Sequence, residues 1–453
     1  MTKIKKTFKK QSVKPEKRPG KVTRRTVGGG SVDVPAPVVR AWLELSGIKD
    51  PAKATVNAAK FRQLWRIFTS GRERISPELL QDPGAAEAYV TGFHLPNAAR
   101  AALLCRRIAQ RVGIAPGVKP GVGSGVRLGD WLGKYFNHQR IFDLGCGSGA
   151  WSQVWLSEVR LKRNAVHLID ASPTLLEMAA KGIAHVRASM GRDASLYVET
   201  VAKEISQIDF AQFDARNVAH KDANNDAARQ GNDATDKSLD VYILGYVWNE
   251  LIDDRAGRNR ILTRLDACRS AKRNALLLLA EPATDEFALD AMALRDQLCA
   301  AGWVAIYPCP TGARACPMLN AVGGVRDWCF SEGGWRKPEE YMKLEEDTGI
   351  AHNKINSAIF ALASPELARQ LPKMAPSLSE QSQVVVGKPS VPGGRPGREK
   401  GFSYLLCTDR GLVKTAPKRI EIKYAKPRGS TVSSAAKPGQ GKERTKGFKE
   451  TDE

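Results

Sequence analysis

The chain has 453 residues and a formal net charge of +22, with 70 Lys and Arg against 48 Asp and Glu. This length is enough for two or three domains of ordinary size, and the charge favours a polyanionic partner, with nucleic acid as the first candidate. The longest apolar run, ALLLLA at 275–280, fits a buried strand and is too short to span a membrane. The N-terminus lacks the apolar core of a secretory signal. Eight cysteines without such a signal indicate thiols or metal ligands rather than disulfides.

The basic charge is concentrated at the two ends of the chain. Residues 1–32 carry eleven Lys or Arg and one acid, Glu16, and residues 414–449 are similarly Lys-rich with Pro, Gly and Ser between. We predict a basic disordered arm over 1–34 and a basic disordered tail over 411–453. Each end either binds nucleic acid or only keeps the protein in solution.

Residues 35–130 show the periodicity of amphipathic helices. VVRAWLEL, AAKFRQLWRIF and AARAALLCRRIAQRV place apolar residues at i, i+3 and i+4. Pro96 and Asn97 predict the start of the last of these helices, because Pro in a first turn loses no hydrogen bond. We therefore predict a helical N-terminal region.

The stretch RIFDLGCGSGAW, residues 140–151, predicts a strand, a tight glycine turn and the start of a helix. Gly145, Gly147 and Gly149 alternate after an apolar run that ends at Asp143. Glycine suits this turn because the backbone needs angles that a Cβ forbids and because a ligand must approach the main chain. In nucleotide-binding α/β folds the ligand lies at the carboxyl end of the first strand, where the strand order reverses.

Two ligand classes use a loop of this kind. From Gly145 the residues satisfy the dinucleotide fingerprint G-x-G-x-x-A. From Asp143 the pattern D-x-G-x-G-x-G resembles the first motif of class I S-adenosylmethionine-dependent methyltransferases, and it uses more of the residues. Asp170, at the end of the apolar run VHLID, can accept hydrogen bonds from both ribose hydroxyls in either class. We predict the methyltransferase-like fold, with a dinucleotide fold or a coincidental glycine turn as alternatives.

Strands and helices alternate after the glycine loop and predict a doubly wound parallel sheet. Ser172 and Pro173 are expected to start the second crossover helix. IDFAQFD predicts a third strand that ends at Asp214, a weaker candidate for contact with the adenine end of a cofactor. After the fourth strand, SLDVYILG, the turn lacks the prolines typical of enzymes that methylate base amines. Asn249 and Glu250 in this turn either orient a substrate or cap the next helix.

Four cysteines are candidate metal ligands. Cys309, Cys316 and Cys329 lie in a loop-like segment rich in Pro and Gly, and Cys407 on a later predicted strand can supply a fourth thiolate. Four thiolates suit zinc or an iron–sulfur cluster. Zinc ribbons usually have paired C-x-x-C turns, and this segment has none. The spacing alone leaves a cluster, zinc and free thiols open.

The motifs CP-x5-CP, DWC and EKGFSYL, preceded by NEL and LAEP, resemble the methyltransferase-like family associated with the mitochondrial small ribosomal subunit and its bacterial relatives. The resemblance covers residues 80–410 and includes AYVTGFHLPNAARAAL. It implies an α/β fold of the class I S-adenosylmethionine-dependent methyltransferase (Rossmann-like) type, with a cysteine-ligated metallocluster insertion. It also implies S-adenosyl-L-methionine and a [4Fe-4S] cluster as cofactors, with zinc as the alternative metal, held by Cys309, Cys316, Cys329 and Cys407.

Together these expectations divide the chain and name its site. The segments are an arm at 1–34, a helical region at 35–130, a class I methyltransferase-like domain at 131–308, a cysteine-cluster insertion with the closing strands at 309–410, and a tail at 411–453. The expected cofactor-binding residues are Asp143, Gly145, Gly147, Gly149 and Asp170, and no catalytic residue is assigned.

The expected function is binding to the rRNA and proteins of the small ribosomal subunit, in ribosome assembly or translation, without membrane association. The expected location is a bacterial cytoplasm, with the mitochondrial matrix as the alternative. The alternative functions are an active rRNA methyltransferase and a metabolic enzyme with small substrates, which the basic ends argue against.

Overall fold

The computed structural model describes eleven stretches of the chain. They are 31–71, 77–112, 128–190, 194–214, 238–309, 315–319, 328–374, 382–385, 404–408, 411–415 and 431–433. Most of the predicted arm and tail lies outside these residues.

Helices and strands alternate through the middle of the chain. The described α-helices are α1 Ala36–Leu45, α2 Pro51–Arg66, α3 Pro83–Arg111, α4 Leu128–Leu132, α5 Ala150–Glu158, α6 Pro173–Ala188, α7 Arg255–Ser270, α8 Asp285–Ala300, α9 Glu339–Thr348 and α10 Pro365–Met374. The described strands are β1 Val32–Asp33, β2 His138–Leu144, β3 Arg163–Asp170, β4 Ser195–Ala202, β5 Ser238–Gly245, β6 Ala275–Pro282, β7 Val304–Tyr307, β8 Trp335–Arg336, β9 Ser357–Ala363, β10 Ser382–Val385, β11 Tyr404–Thr408, β12 Gly411–Thr415 and β13 Thr431–Ser433.

The central sheet has seven strands in the order β4-β3-β2-β5-β6-β9-β7. Strands β2 to β6 pair in parallel, so the prediction of a parallel sheet is confirmed for them. It is wrong for β9, which is antiparallel to both β6 and β7. The first five strands follow the Rossmann-like order 3-2-1-4-5, with the reversal between β2 and β5. A smaller sheet joins β1 to β8 in parallel, and β10 to β13 form an antiparallel sheet.

The central sheet separates two apolar cores. Along a strand, side chains point alternately to the two faces. Ile141 and Val241 lie in the core that also holds residues of α1, α3, α5 and α6. Their neighbours Phe142 and Tyr242 lie in the core under α7 and α8, with ring centroids 5.0 Å apart. The N-terminal helices therefore share one core with the sheet.

The third strand differs from the prediction. IDFAQFD forms no strand, and the third position is taken by β4, SLYVETVA. This edge strand is largely accessible to solvent. Because it contains polar residues, it does not form the apolar run that predicts a buried strand.

Asp214 belongs to an ion-pair network instead of a ligand site. Its carboxylate lies 2.6 Å from Arg264, 2.7 Å from Arg273 and 3.2 Å from Arg140. Arg140 also binds the buried Asp240 at 2.5 Å. Because three guanidinium groups occupy it, the Asp214 carboxylate has little capacity left for a cofactor.

The start of α3 also differs from the prediction. This helix begins at Pro83, where the Asp82 carboxylate accepts a hydrogen bond from Ala85 N at 2.7 Å. Pro96 lies inside the helix and is buried. Proline in a helix interior removes one backbone hydrogen bond, and here tertiary packing outweighs that local cost.

Within the described residues, no helix is both long enough and apolar enough to cross a lipid bilayer.

Candidate functional site

The glycine loop joins β2 to α5 in the predicted conformation. Gly145, Gly147 and Gly149 have φ angles of 65°, 52° and 70°, in the left-handed region that glycine adopts without strain. The loop lies where the strand order reverses between β2 and β5, and such a point leaves a crevice outside the carboxyl ends of the strands. We take this crevice, with the side chains that line it, as the candidate site and call it the cleft.

Asp143 lies beneath the loop. Its side chain is 1% exposed, and its Oδ2 accepts hydrogen bonds from Ser152 Oγ at 2.6 Å and from Ser152 N at 3.3 Å. Burial raises the pKa of Asp143 to about 7, although the hydrogen bonds from Ser152 lower it. Asp143 therefore holds the first turn of α5 against the end of β2.

Asp170 joins the end of β3 to the loop. Its Oδ2 accepts a hydrogen bond from Gly147 N at 2.8 Å, and its Oδ1 accepts one from Ser172 N at 2.9 Å. Ser172 in turn caps α6, because its Oγ accepts from Leu175 N at 3.2 Å, so the predicted N-cap is confirmed. Two of the predicted cofactor residues, Gly147 and Asp170, are thus in direct contact.

Glu281, at the end of β6, holds the turn after β5. Its fully buried carboxylate accepts from Trp248 N at 2.9 Å and from Asn249 N at 3.2 Å. With its amide oriented so that the nitrogen faces both acceptors, Asn249 also donates to Glu281 and to Tyr246 O, at 2.6 and 3.0 Å. The sequence motifs NEL and LAEP therefore meet as one hydrogen-bonded unit.

This arrangement tests one of the two hypotheses for the turn. Helix α7 begins after Asp254, whose carboxylate accepts from Gly257 N at 2.9 Å. The hypothesis that Asn249 or Glu250 caps that helix is therefore wrong. The Asn249 side chain is engaged within the turn, whereas Glu250 is exposed on its surface.

Helix α3 forms the opposite wall of the cleft. A Cβ added at Gly147 would lie 3.0 Å from the Tyr89 hydroxyl oxygen, and one added at Gly145 would lie 2.2 Å from Val247 in the turn after β5. His94, also on α3, is fully buried, and its Nδ1 lies 2.9 Å from Ser148 Oγ in the glycine loop. The loop is therefore enclosed by a helix from the N-terminal region.

Acidic groups surround Tyr89. Burial raises the pKa of its hydroxyl, and Glu250, Asp170, Cys146 and Asp143 raise it further. Desolvation and the charge of Asp170 also raise the pKa of Glu250 to about 8, although this residue is exposed. In the described part of the chain, none of the three carboxylates forms an ion pair with Lys or Arg. A cation beside these groups would lower their pKa values and favour the ionised carboxylates, so the cleft suits a cationic ligand better than an anionic one.

Sequence reasoning did not assign Tyr89, His94 or Glu281 to the site. Tyr89 and His94 occur in AYVTGFHLP, and Glu281 occurs in LAEP, so all three belong to motifs that carried the family resemblance. The available signal was a polar His within an apolar helical run. Their approach to the loop depends on the packing of α3 and on the pairing of β5 with β6.

The structure describes the side chains of three of the four candidate metal ligands. Cys316 and Cys329 are buried, Cys309 is partly buried, and all three lie in or against the core under α8. Cys316 N donates to Asp296 Oδ2 at 2.8 Å, and Cys329 N contacts the Met292 sulfur at 3.3 Å. Helix α8 therefore positions two of these cysteines.

The residues that the structure describes do not show a metallocluster. Among them, no group of three or more His, Cys, Asp or Glu could hold a metal ion. Residues 310–314 and 320–327 lie outside the description, and so does the side chain of Cys407, whose backbone forms part of β11. The cluster and its zinc alternative stay predictions.

Residues 133–347 match the model of the family described as Rsm22, mitochondrial small ribosomal subunit. The family resemblance predicted from the sequence is confirmed. The matched stretch contains the glycine loop, the turn after β5 and the first three of the four cysteines. No curated protein matches the chain.

Three solved structures, two of them methyltransferases by title, show weak similarity to the chain. An O-methyltransferase family protein from Burkholderia thailandensis is 14% identical, with a TM-score of 0.26 over 72% of this chain and 71% of that one. The small RNA methyltransferase HEN1 is 12% identical, with a TM-score of 0.24 over 56% of this chain and 28% of that one. YjhP from E. coli is 12% identical, with a TM-score of 0.24 over 57% of this chain and 99% of that one. We base the fold on the strand order and not on these similarities.

The buried His94 makes stability depend on pH. Desolvation lowers its pKa to about 4, so its contribution is complete above the unfolded value of about 6.5 and is lost as the pH falls below it. We expect the free energy of unfolding to drop by about 1.4 kcal/mol per pH unit from this residue between pH ~6.5 and ~4. His94→Gln should remove that part of the slope in urea unfolding measured at pH 7.5 and 5.0. A constant difference between wild type and His94→Gln at the two pH values would show that His94 does not titrate in this way.

Proposed function

We propose that this protein binds S-adenosyl-L-methionine in the cleft and acts on the small ribosomal subunit, in its assembly or in translation. The observation that carries the proposal is the glycine loop. It lies inside the stretch matched by the small-subunit family, and its three positive φ angles allow a ligand to approach the backbone. The backbone of Gly145, Gly147 and Gly149, with Asp170, would hold the cofactor. Both a bacterial cytoplasm and a mitochondrial matrix contain small ribosomal subunits and are compatible with this role.

The charge of the cleft supports this cofactor over a dinucleotide. Asp143, Asp170 and Glu250 all act on Tyr89, and in their ionised form they oppose the pyrophosphate of NAD. The sulfonium and ammonium groups of S-adenosyl-L-methionine are positive, so the ionised carboxylates attract them. The cofactor supplies an electrophilic methyl group, and the chain supplies its binding site.

An active rRNA methyltransferase is the second candidate. The accessible Glu250 favours it, because a carboxylate with a raised pKa in a cleft can accept a proton from a methyl acceptor. The engagement of Asn249 with Glu281 and Tyr246 argues against a role of that amide in holding a base. Incubation of small subunits with methyl-labelled S-adenosyl-L-methionine, followed by RNA digestion, distinguishes the two candidates.

Our prediction for cofactor binding concerns Gly147. Gly147→Val places a side chain against Tyr89 in a backbone conformation that L residues rarely adopt, and we expect at least about a 100-fold loss of affinity for S-adenosyl-L-methionine. Calorimetry on the full chain measures the loss. Gly349→Val is the control, because Gly349 also has a positive φ but has no atom within 4 Å of an added Cβ. Tight NAD binding with no response to S-adenosyl-L-methionine would overturn the cofactor assignment.

Our prediction for the ribosomal partner concerns the basic arm. Val32 and Asp33 pair with Trp335 and Arg336, so removal of residues 1–30 leaves this small sheet intact. If the arm binds RNA, a plot of log affinity for small-subunit RNA against log salt concentration has a negative slope. Each phosphate contact adds about 0.7–0.9 to the magnitude of that slope. The truncated protein should then show a flatter slope with unchanged cofactor binding.

Replacing the Lys and Arg residues of the arm by Gln should reproduce the effect of the truncation. An unchanged salt slope in both variants would show that the arm does not bind RNA and only keeps the protein in solution. Failure of the wild type to bind small subunits or their RNA at all would refute the ribosomal part of the proposal.

We also propose that Cys309, Cys316, Cys329 and Cys407 hold a [4Fe-4S] cluster, with zinc as the alternative. The support is the family match and the common location of Cys309, Cys316 and Cys329 at one apolar core. Four thiolates are a suitable ligand set for either group. The described residues do not complete such a site.

Our prediction for the metal uses single Cys→Ser variants. Purified without oxygen, the wild type should be coloured and contain iron and sulfide, and each of the four substitutions should lose them because each removes a ligand. Cys105→Ser on α3 is the control, because this buried cysteine belongs to the other core. Cys299 is a poorer control, because it packs in the same core as Cys316 and Cys329. A colourless protein with one zinc per chain would show that the cysteines bind zinc and not an iron–sulfur cluster.

A further inference from the structure

Helix α3 is buried over most of its surface but is accessible along one line. Within residues 88–105, the side chains that are not buried are those of Tyr89, Phe93, Asn97 and Arg100. They are spaced by four, four and three residues, which places them on one face of a helix. We call these four residues the α3 stripe. It keeps two aromatic rings, an amide and a guanidinium in contact with solvent on a helix that otherwise belongs to the core.

The α3 stripe lies along the cleft. At one end, the Tyr89 hydroxyl oxygen is 3.0 Å from the position of a Cβ added at Gly147. At the other end, the Arg100 guanidinium carbon lies 5.2 Å from the centre of the Tyr246 ring, in the turn after β5. Tyr246 has a φ angle of 70°, a conformation that residues other than glycine rarely adopt and that is concentrated at functional sites. The stripe therefore extends from the glycine loop to the turn after β5.

Two further rings extend the aromatic part of the stripe. Trp65 belongs to α2, and Phe68 follows just after that helix. Between centroids, the Phe93 ring lies 4.9 Å from Phe68 and 5.2 Å from Tyr89. It lies 6.0 Å from the Trp65 ring, and the planes of these two rings differ by 17°. All four rings are partly exposed, so they offer flat faces on which a planar group can stack.

Arg100 is a cation without a carboxylate partner among the described residues. Its one hydrogen bond there joins Nη1 to Asn97 Oδ1 at 2.8 Å, and its buried Nε has no partner. Arg62 and Arg66 are exposed on α2 and form no ion pair within the described part of the chain. Helix α2 itself contains no acidic residue. Because guanidinium groups bind phosphate oxygens well, a ligand suited to this surface combines stackable rings with phosphate groups.

We propose that the α3 stripe, together with Trp65 and Phe68, binds unpaired nucleotides of RNA. This inference rests on the proposed action on small-subunit RNA, and it names the surface that contacts that RNA. An unpaired base stacks on aromatic side chains, whereas the bases of a duplex are already stacked on each other. Arg100 pairs with a phosphate of the same strand. A base stacked on Phe93 lies beside Tyr89, and therefore close to the glycine loop.

Fluorescence anisotropy on the full chain tests the inference with a labelled RNA strand of about ten nucleotides. Phe93→Leu removes a stacking face and should weaken binding of this strand about tenfold. The same substitution should leave binding of the strand annealed to its complement unchanged, because a duplex presents no free base faces.

The salt dependence separates stacking from phosphate contact. Arg100→Gln should weaken binding of the unpaired strand about fivefold and lower the magnitude of the log-log salt slope by about 0.7, because one phosphate contact is lost. Phe93→Leu should leave that slope unchanged, because stacking releases no counterion. Arg100 is partly exposed, so its substitution leaves the apolar core intact.

Matched controls exist for both substitutions. Phe93→Tyr keeps an aromatic face and should retain the affinity. Tyr197→Leu removes a ring that is exposed on β4, and Arg187→Gln removes an exposed cation in the last turn of α6. Neither residue belongs to the loops at the carboxyl ends of the strands, so both variants should bind the unpaired strand as the wild type does.

The outcomes separate the inference from the proposed function. Equal affinity of wild type, Phe93→Leu and Arg100→Gln for the unpaired strand would overturn the inference and leave the ribosomal proposal standing. Weaker binding of S-adenosyl-L-methionine in both variants, with RNA binding unchanged, would assign the stripe to the cofactor and would also reject the inference. A wild type that binds neither this strand nor small-subunit RNA would refute the proposed ribosomal role, and the inference with it.

Discussion

Carboxylates at the carboxyl ends of parallel strands hold three loops of the cleft. Asp143 at the end of β2 binds the start of α5, Asp170 at the end of β3 binds the glycine loop and the start of α6, and Glu281 at the end of β6 binds the turn after β5. A hydrogen bond to an ionised carboxylate contributes about 1.5–3 kcal/mol, more than one between neutral groups, and the burial that raises the pKa of all three carboxyl groups offsets part of it. The shape of the cleft therefore depends on these contacts.

The same carboxylates determine the electrostatic character of the cleft. Because the chain places them at strand ends to bind backbone N–H groups, they also bring acidic groups together where a ligand would enter. Glu250, in the turn after β5, is a further acidic group, and its side chain forms no hydrogen bond among the described residues. One arrangement thus fixes the loops and favours positive ligands, and this links the fold to the proposed methyl-donor cofactor.

Helix α3 connects the N-terminal region to the cleft. Its apolar residues share a core with the sheet, and Tyr89 and His94 reach the glycine loop. Tyr89 also lies 5.2 Å from Phe93 and 5.9 Å from Phe68, measured between ring centroids. A ligand that moved Tyr89 would disturb this aromatic cluster. Cys316 and Cys329, by contrast, lie in the core under α8.

The sequence by itself determined the local parts of this site. The strand, glycine turn and helix of residues 140–151 could be predicted because positive φ angles and apolar runs are properties of neighbouring residues, and the Ser172 cap followed for the same reason. Only the tertiary structure decided the partners of Asp143, Asp170 and Glu281, the reversal of β9 and the burial of Pro96 inside α3. Each of these depends on contacts between segments far apart in the chain. Local periodicity does not encode such contacts. The sequence therefore does not place Tyr89 at the site, whereas the packing of α3 over Gly147 does.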